Sequence, residues 1–111
     1  MSSSIPRDVL EEVRAFLREV SKNFVINETY LFGSFARGDW LKTSDVDLVI
    51  VSKDFEGIRF MDRLDILNRI QWELRLKRFI EVIPLTPQEF SEKLKYSVVL
   101  RDASRYWVKI I

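Results

Sequence analysis

Hydrophobic residues recur at every third or fourth position in two stretches of the chain, residues 6–22 and residues 62–77. Charged residues occupy the positions between them, so both stretches predict amphipathic helices, the first with Pro6 near its first turn. Residues 86–95 predict a further helix, because they begin with an N-cap threonine, a proline and an acidic first turn.

Strand-like patterns lie between these helices. Residues 25–32 alternate and are rich in β-prone residues, and Gly33 ends them abruptly before a short helix predicted over residues 34–37. Residues 45–51 read Asp-Val-Asp-Leu-Val-Ile-Val, which predicts a strand at the centre of a sheet, with its later part buried on both faces. Residues 79–84 predict a third strand that ends at a proline.

The last segment allows two interpretations in sequence, a helix over residues 97–104 and an edge strand over residues 106–110. Alternating helices and strands predict an α/β (α+β) fold, a small mixed sheet covered by helices, for which one helical layer would be enough. A length of 111 residues predicts a single domain over residues 1–111 and leaves no room for a second catalytic domain.

Composition narrows the function classes. Eighteen Lys and Arg against 17 Asp and Glu give a net charge of +1, so no strong nucleic-acid binding is expected. No apolar run is long enough to span a membrane, and the first residues lack a signal-peptide pattern, so a cytoplasmic protein without membrane contact is expected. The chain contains no cysteine and no histidine, which excludes disulfides, thiolate nucleophiles, Ser-His triads and the usual zinc sites. Any metal must therefore bind oxygen, which favours magnesium, manganese or calcium.

Gly33 and Ser34 follow a predicted strand and begin a predicted helix. Backbone N–H groups at such a position can form an anion-binding nest, to which the serine hydroxyl adds a donor, and a triphosphate is a natural occupant. Taken alone, the dipeptide is more often a plain turn.

Asp45 and Asp47 are two residues apart on a predicted strand, so their side chains share one face and can converge on a metal ion. The alternative is a strand end with solvated acids. Glu81 interrupts a strand that is otherwise almost entirely apolar, and it would supply a third carboxylate if that strand lies beside the second. Alternatively, Glu81 belongs to an edge strand and faces solvent or a basic partner.

These residues together resemble a known signature. The chain reads Gly33-Ser34-x-x-Arg37-Gly38-Asp39, followed by Ser44-Asp45-x-Asp47-Leu48. A Gly-Ser turn, an Arg-Gly-Asp step and a Ser-Asp-x-Asp strand occur in this order in the minimal nucleotidyltransferases of the DNA polymerase β superfamily, which the chain therefore resembles. The resemblance implies the polymerase-β-like nucleotidyltransferase fold.

The resemblance also implies transfer of a nucleoside monophosphate to a hydroxyl, with release of pyrophosphate. Asp45 and Asp47 would bind two Mg²⁺ ions, while Gly33 and Ser34 would hold the β- and γ-phosphates of a nucleoside triphosphate, expected to be ATP. Glu81 matches the third acid of the family and would bind metal, accept the proton of the nucleophile, or both.

For two further residues of the motif, the sequence allows more than one role. Arg37 would reach phosphate, or it would pair with Asp39 or cap the short helix. Ser44 would contribute to nucleotide binding or support the loop before the strand.

Members of the family this short resemble the antitoxin half of a two-gene pair whose partner is an all-helical HEPN ribonuclease, and some transfer AMP to a tyrosine of that partner. An antitoxin with a HEPN-domain partner is therefore expected, with the oligomeric state left open. Candidate contact residues, each of which could instead belong to the core, are Trp40, Leu41, Trp72, Leu76, Tyr106 and Trp107. The alternatives are a noncatalytic nucleotide-binding or partner-neutralising subunit, and a transferase acting on a small-molecule hydroxyl.

Overall fold

The computed structural model describes residues 5–111 as five helices and four strands joined by short connections. The helices are α1 Arg7–Val20, α2 Ser34–Arg37, α3 Phe60–Leu74, α4 Pro87–Tyr96 and α5 Val98–Ala103. The strands are β1 Glu28–Phe32, β2 Val46–Val51, β3 Ile80–Leu85 and β4 Val108–Lys109. A 3-10 turn, Lys53–Phe55, follows β2. Every helix and strand predicted from the hydrophobic pattern is present, with shifts at the ends.

The four strands form one mixed sheet in the order β3-β2-β1-β4. β1 is antiparallel to both β2 and β4, whereas β2 and β3 are parallel and are joined by α3. A parallel pair needs such a crossover, because its two strands start at the same edge of the sheet. The end of β1 therefore lies beside the beginnings of β2 and β3, and this edge holds the residues of the predicted motif.

Helices cover both faces of the sheet, so the expectation that one helical layer would be enough is wrong. Val46, Leu48 and Ile50 of β2 pack in a core with α1 and α3. Val49 and Val51 point the other way and pack with Phe90 of α4 and Leu100 of α5, among others. Successive side chains of a strand alternate between faces, so a strand covered on both sides is apolar at nearly every position, as predicted for β2.

Several element boundaries differ from the prediction for local reasons. β1 begins only at Glu28, since the preceding residues bind the loop after β2; for example, the Val25 N–H donates to Asp54 at 2.7 Å. α3 ends at Leu74 because Arg75 adopts a left-handed conformation with φ of 54°. Pro84 lies inside β3 instead of ending it, which an edge strand tolerates because one side of its backbone has no partner strand.

Two side-chain networks fix β3 and α4. The buried Gln71 amide of α3 donates to the Ile80 carbonyl at 2.7 Å and accepts from the Ile80 N–H at 2.8 Å, so it pairs with the outer side of β3 as a strand would. The predicted N-cap of α4 is a capping box between Thr86 and Glu89. Within residues 5–111, no helix combines the length and apolar character needed to cross a membrane.

Candidate active site

A cavity of about 670 Å³ opens at the edge where β1 ends and where β2 and β3 begin. Its volume falls within the range of roughly 300–1,000 Å³ typical of small-molecule sites. All seven residues singled out by the sequence motif line it: Gly33, Ser34, Arg37, Ser44, Asp45, Asp47 and Glu81. The fold therefore brings the predicted set together, although the role of each residue stays a prediction.

Gly33 connects β1 to α2 and lies directly against Asp47. Its φ is +77°, and a Cβ added there would come within 2.1 Å of the Asp47 Oδ2 atom. The Gly33 carbonyl accepts the N–H groups of Ala36 and Arg37 at 3.1 and 3.0 Å, which starts the short helix. Only glycine fits, because any side chain would be strained by the left-handed φ and would also collide with the carboxylate. Gly33 and Ser34 thus form a turn and also part of the wall of an acidic cavity.

Asp47 is the carboxylate with the most perturbed ionisation in the cavity. Its pKa is raised to about 6, mainly by burial and then by the Glu81 and Asp45 carboxylates, and the positive charge of Arg37 offsets only part of this rise. The β-sheet register explains this proximity, since Asp47 pairs with Glu81 on β3 and with Phe32 on β1. At neutral pH the cavity therefore holds closely spaced negative charge that a cation would stabilise.

The three carboxylates agree in chemistry with a site for a hard divalent cation, which prefers oxygen ligands. Within residues 5–111, no three acidic side chains already converge tightly enough to form a complete set of metal ligands. Asp45, Asp47 and Glu81 nevertheless line one cavity, and the mutual repulsion that raises the pKa of Asp47 is the charge that such a cation would neutralise. Rotation of these side chains would be needed to complete a coordination sphere.

Arg37 and Ser44 have partners within the protein. The Arg37 guanidinium donates to the Asp39 carboxylate and to the Tyr106 hydroxyl, both at 3.2 Å. These contacts raise the pKa of Arg37, the hydrogen bond to Tyr106 more than the one to Asp39, so Arg37 stays a cation. The Ser44 hydroxyl accepts the Leu41 N–H at 2.8 Å, which supports the loop before β2. The structure therefore contains two of the interpretations allowed by the sequence, in which Arg37 pairs with Asp39 and Ser44 supports the loop before β2.

One wall of the cavity was not recognised in the sequence, although Tyr106, which belongs to it, is among the candidate contact residues. It is formed by Val98, Val99, Asp102, Ala103 and Tyr106 of α5 and the turn that follows it. Val98, Asp102 and Tyr106 recur every four residues, a spacing that places side chains on one face of a helix. This spacing could have indicated in the sequence that the three residues act together. The pattern could not show where this face lies, because the position of α5 depends on the packing of Leu100 with Val49 of β2 and Phe90 of α4, among others.

The candidate contact residues divide into half-buried and exposed groups. Trp40 stacks on Phe35 with 5.5 Å between ring centroids, and Trp107 stacks on Tyr30 at 4.3 Å, so both pack against the protein's own aromatic side chains. Leu41 and Trp72 are exposed, and Trp72 and Leu76 line a separate groove of about 790 Å³ beside the end of α3. This groove is larger than the acidic cavity but contains a single carboxylate, so we place the chemistry in the smaller one.

Known proteins share both the sequence pattern and the fold. The sequence profile of the family described as nucleotidyltransferase domain matches residues 11–106. A proposed protein adenylyltransferase of Methanocaldococcus jannaschii is 28% identical over 64 residues, which are 57% of this chain and 74% of that protein. The crystal structure of a proposed nucleotidyltransferase from Sulfolobus solfataricus superposes with a TM-score of 0.65 and 27% identity, over 96% of this chain and 85% of that one. BolA1 from Arabidopsis thaliana resembles the fold alone, with a TM-score of 0.55 and 19% identity over 70% of this chain and 94% of that one.

Proposed function

Because this chain belongs to the nucleotidyltransferase domain family and is a nucleotidyltransferase, we propose that it transfers AMP from ATP to a tyrosine hydroxyl of a protein partner, with magnesium as cofactor. The family and the mixed α/β fold were both predicted from the sequence, and both are confirmed. The nucleotide, the metal and the acceptor are parts of the proposal.

The proposal rests on the close approach of the Gly33 turn to Asp47, with Asp45 and Glu81 in the same cavity. A phosphate-binding turn next to paired carboxylates suits a nucleoside triphosphate, because a divalent cation held by the acids would offset the repulsion between them and the phosphates. An acidic cavity without such a cation would repel the substrate, so turn, acids and metal are useful only together.

In this proposal each residue of the cavity has a separate role. The Gly33-Ser34 turn holds the β- and γ-phosphates, and Asp45 and Asp47 are the residues that would hold the metal next to the α-phosphate. Magnesium, when bound, supplies charge neutralisation for the phosphate oxygens and the leaving pyrophosphate. The acceptor hydroxyl forms a bond to the α-phosphorus as pyrophosphate leaves, and Glu81 would accept the proton, help to hold the metal, or both.

A protein acceptor is supported by the α5 wall, which we define as the cavity-lining residues Val98, Val99, Asp102, Ala103 and Tyr106. Val98 and Val99 are about 70% exposed although they line the cavity that holds the carboxylates. Large exposed apolar residues beside a polar site are typical of surfaces that another protein covers. We propose a HEPN-type ribonuclease as this partner, in which case the modification makes this chain the antitoxin of a pair.

Incubation with α-³²P-ATP, Mg²⁺ and the candidate HEPN partner tests the proposal. We expect label on the partner, removal of that label by Asp47→Asn, and little change with Asp65→Asn, which removes an exposed acid of α3 outside the cavity. A chelator should prevent labelling, and added Mg²⁺ should restore it.

Three other outcomes would each contradict a part of the proposal. Labelling of small hydroxyl compounds but not of the partner would replace the protein acceptor with a small molecule. Neutralisation of the partner without any label, unchanged in Asp47→Asn, would indicate a noncatalytic binding subunit. Equal labelling in the presence of a chelator would exclude the metal.

A further inference from the structure

The cavity contains a phenol of the protein itself. Tyr106 follows α5, where its N–H donates to the Ala103 carbonyl at 3.1 Å, and its side chain lines the cavity with the three carboxylates. The Tyr106 hydroxyl accepts a hydrogen bond from Arg37, whose guanidinium carbon lies 5.5 Å from the centroid of the ring. The Arg37 side chain thus holds this phenol on the side of the cavity next to α2.

The other tyrosines of the chain are placed differently. Tyr30 stacks against Trp107 and donates its hydroxyl hydrogen to Glu28. This hydrogen bond, together with burial and the negative charge of Glu28, raises the pKa of Tyr30 to about 12. Tyr96, at the end of α4, is 81% exposed and lies outside the cavity. Of the three tyrosines, all within residues 5–111, Tyr106 alone lines the cavity that holds the carboxylates.

We propose that Tyr106 is a self-modification site, and that the enzyme transfers a nucleoside monophosphate to its own Tyr106 hydroxyl. This inference rests on the proposed function, because it uses the same triphosphate and the same carboxylates. The Tyr106 oxygen forms a bond to the α-phosphorus, the bond from that phosphorus to the bridging oxygen breaks, and pyrophosphate leaves with the electron pair. The phenolic proton is released to solvent at the mouth of the cavity.

Tyr106 belongs to the same chemical class as the proposed external acceptor, a tyrosine hydroxyl, and lies in the same cavity. Because acceptor and catalytic groups are in one chain, the reaction is intramolecular, and its rate per chain is independent of protein concentration. A nucleotide attached to Tyr106 would occupy the cavity and break the contact with Arg37. The modified chain is therefore unable to accept a second triphosphate or an external tyrosine, which makes the modification a means of self-limitation.

The experiment uses the full chain with α-³²P-ATP and Mg²⁺ and no partner. We expect up to one AMP per chain, located by peptide mass spectrometry at Tyr106, and no label from γ-³²P-ATP. Tyr106→Phe should lower self-labelling at least tenfold, whereas Tyr96→Phe, the exposed tyrosine outside the cavity, should label like the parent. Thermal unfolding verifies that Tyr106→Phe is folded. Undiminished label in Tyr106→Phe, or label mapped to any other residue, would overturn the assignment.

A mixture of two variants tests whether the transfer is intramolecular. Asp47→Asn keeps the acceptor but lacks a catalytic acid, and Tyr106→Phe keeps the acids but lacks the acceptor. If transfer occurs within one chain, the mixture stays unlabelled, whereas label on Asp47→Asn would show that chains modify each other and would overturn the intramolecular step.

The failure of this inference can be told apart from failure of the proposed function. Label on the HEPN partner with none on the enzyme overturns self-modification and leaves the proposed function standing. Absence of label on both, with no pyrophosphate released, overturns both.

Discussion

At the residue scale, Gly33 is the position where backbone and catalytic geometry are most tightly coupled. We expect Gly33→Ala to destabilise the protein by about 2–4 kcal/mol and to lower transfer about 100-fold or more, since its Cβ would lie 2.1 Å from an oxygen of Asp47. Chemical denaturation and a pyrophosphate-release assay measure the two effects.

Gly57 is a matched control for this substitution. It has almost the same φ, +80°, but a Cβ there meets no atom within 4 Å. Gly57→Ala should therefore cost only the backbone strain, about 1 kcal/mol, and leave transfer intact. Equal effects of the two substitutions would mean that φ alone explains Gly33 and that contact with Asp47 is unimportant.

Asp47 should make the protein less stable at neutral pH. Its pKa is about 6 in the folded chain against 3.8 for the ordinary side chain, so the folded state binds more protons between these values, and stability falls as pH rises through this window. We expect Asp47→Asn, measured in a chelator, to be more stable than the parent by about 1–3 kcal/mol at pH 8 and equally stable below about pH 4.

Urea unfolding at a series of pH values gives this difference directly. Asp65→Asn removes one exposed negative charge from α3 and controls for the change in net charge. A destabilised Asp47→Asn at pH 8 would mean that the carboxylate makes favourable contacts that outweigh its burial. The expected gain in stability with loss of activity would identify Asp47 as a residue retained for chemistry.

At the scale of elements, the position of Glu81 depends on how β3 is attached. β3 is an edge strand, and the Gln71 amide of α3 satisfies both backbone groups of Ile80, the residue before Glu81. Gln71→Leu would leave a buried N–H and a buried carbonyl without partners, so we expect a loss of about 2–4 kcal/mol and faster amide hydrogen exchange along β3.

Asn68→Ala provides the comparison for Gln71. Asn68 is exposed, and its side-chain oxygen accepts a hydrogen bond from the Gln71 amide nitrogen at 3.3 Å, so its removal should cost less than about 1 kcal/mol. If Gln71→Leu were equally mild, water would have to replace the lost partners and β3 would be held by its pairing with β2 alone.

The elements that the sequence predicted well are those whose pattern is local. β2 is apolar on both faces, and the turn Gly33 to Arg37 and the α4 cap use residues with strong positional preferences. Glu81 was singled out as a candidate because an acid within an apolar strand is unusual. The start of β1 could not be predicted from neighbouring residues, because it depends on the hydrogen bond from the Val25 N–H to Asp54, 29 residues away.

The α5 wall shows where prediction from sequence stops. Its helix was recognised as one interpretation, but the place where Asp102 and Tyr106 meet the cavity follows from the packing of Leu100 with Val49, Phe90 and others. Such contacts join segments distant in sequence. The hydrophobic pattern of one sequence shows that a face of a helix or strand is buried, but it does not show which element packs against that face. Half of the cavity was therefore predictable and half was not.

At the scale of the whole molecule, exposed apolar side chains occur both at the α5 wall and at the groove that contains Trp72, which is 80% exposed. A protein acceptor has to place a hydroxyl beside the carboxylates, which requires it to cover the α5 wall. We expect Val99→Asn, an uncharged polar substitution, to lower kcat/KM for the protein acceptor about tenfold, or about 1.4 kcal/mol, while pyrophosphate release without acceptor changes little.

Met61→Asn is the matched control, because Met61 is 66% exposed on α3 and lies outside the cavity, so transfer to the acceptor should stay within about twofold of the parent. Steady-state labelling of the acceptor by the two variants and by Trp72→Ala distinguishes the surfaces. A tenfold loss in Trp72→Ala with none in Val99→Asn would place the acceptor on the groove beside α3. In that case its tyrosine would have to reach the carboxylates past Phe79 and the start of β3, since Phe79 lines that groove and Glu81 lines the cavity.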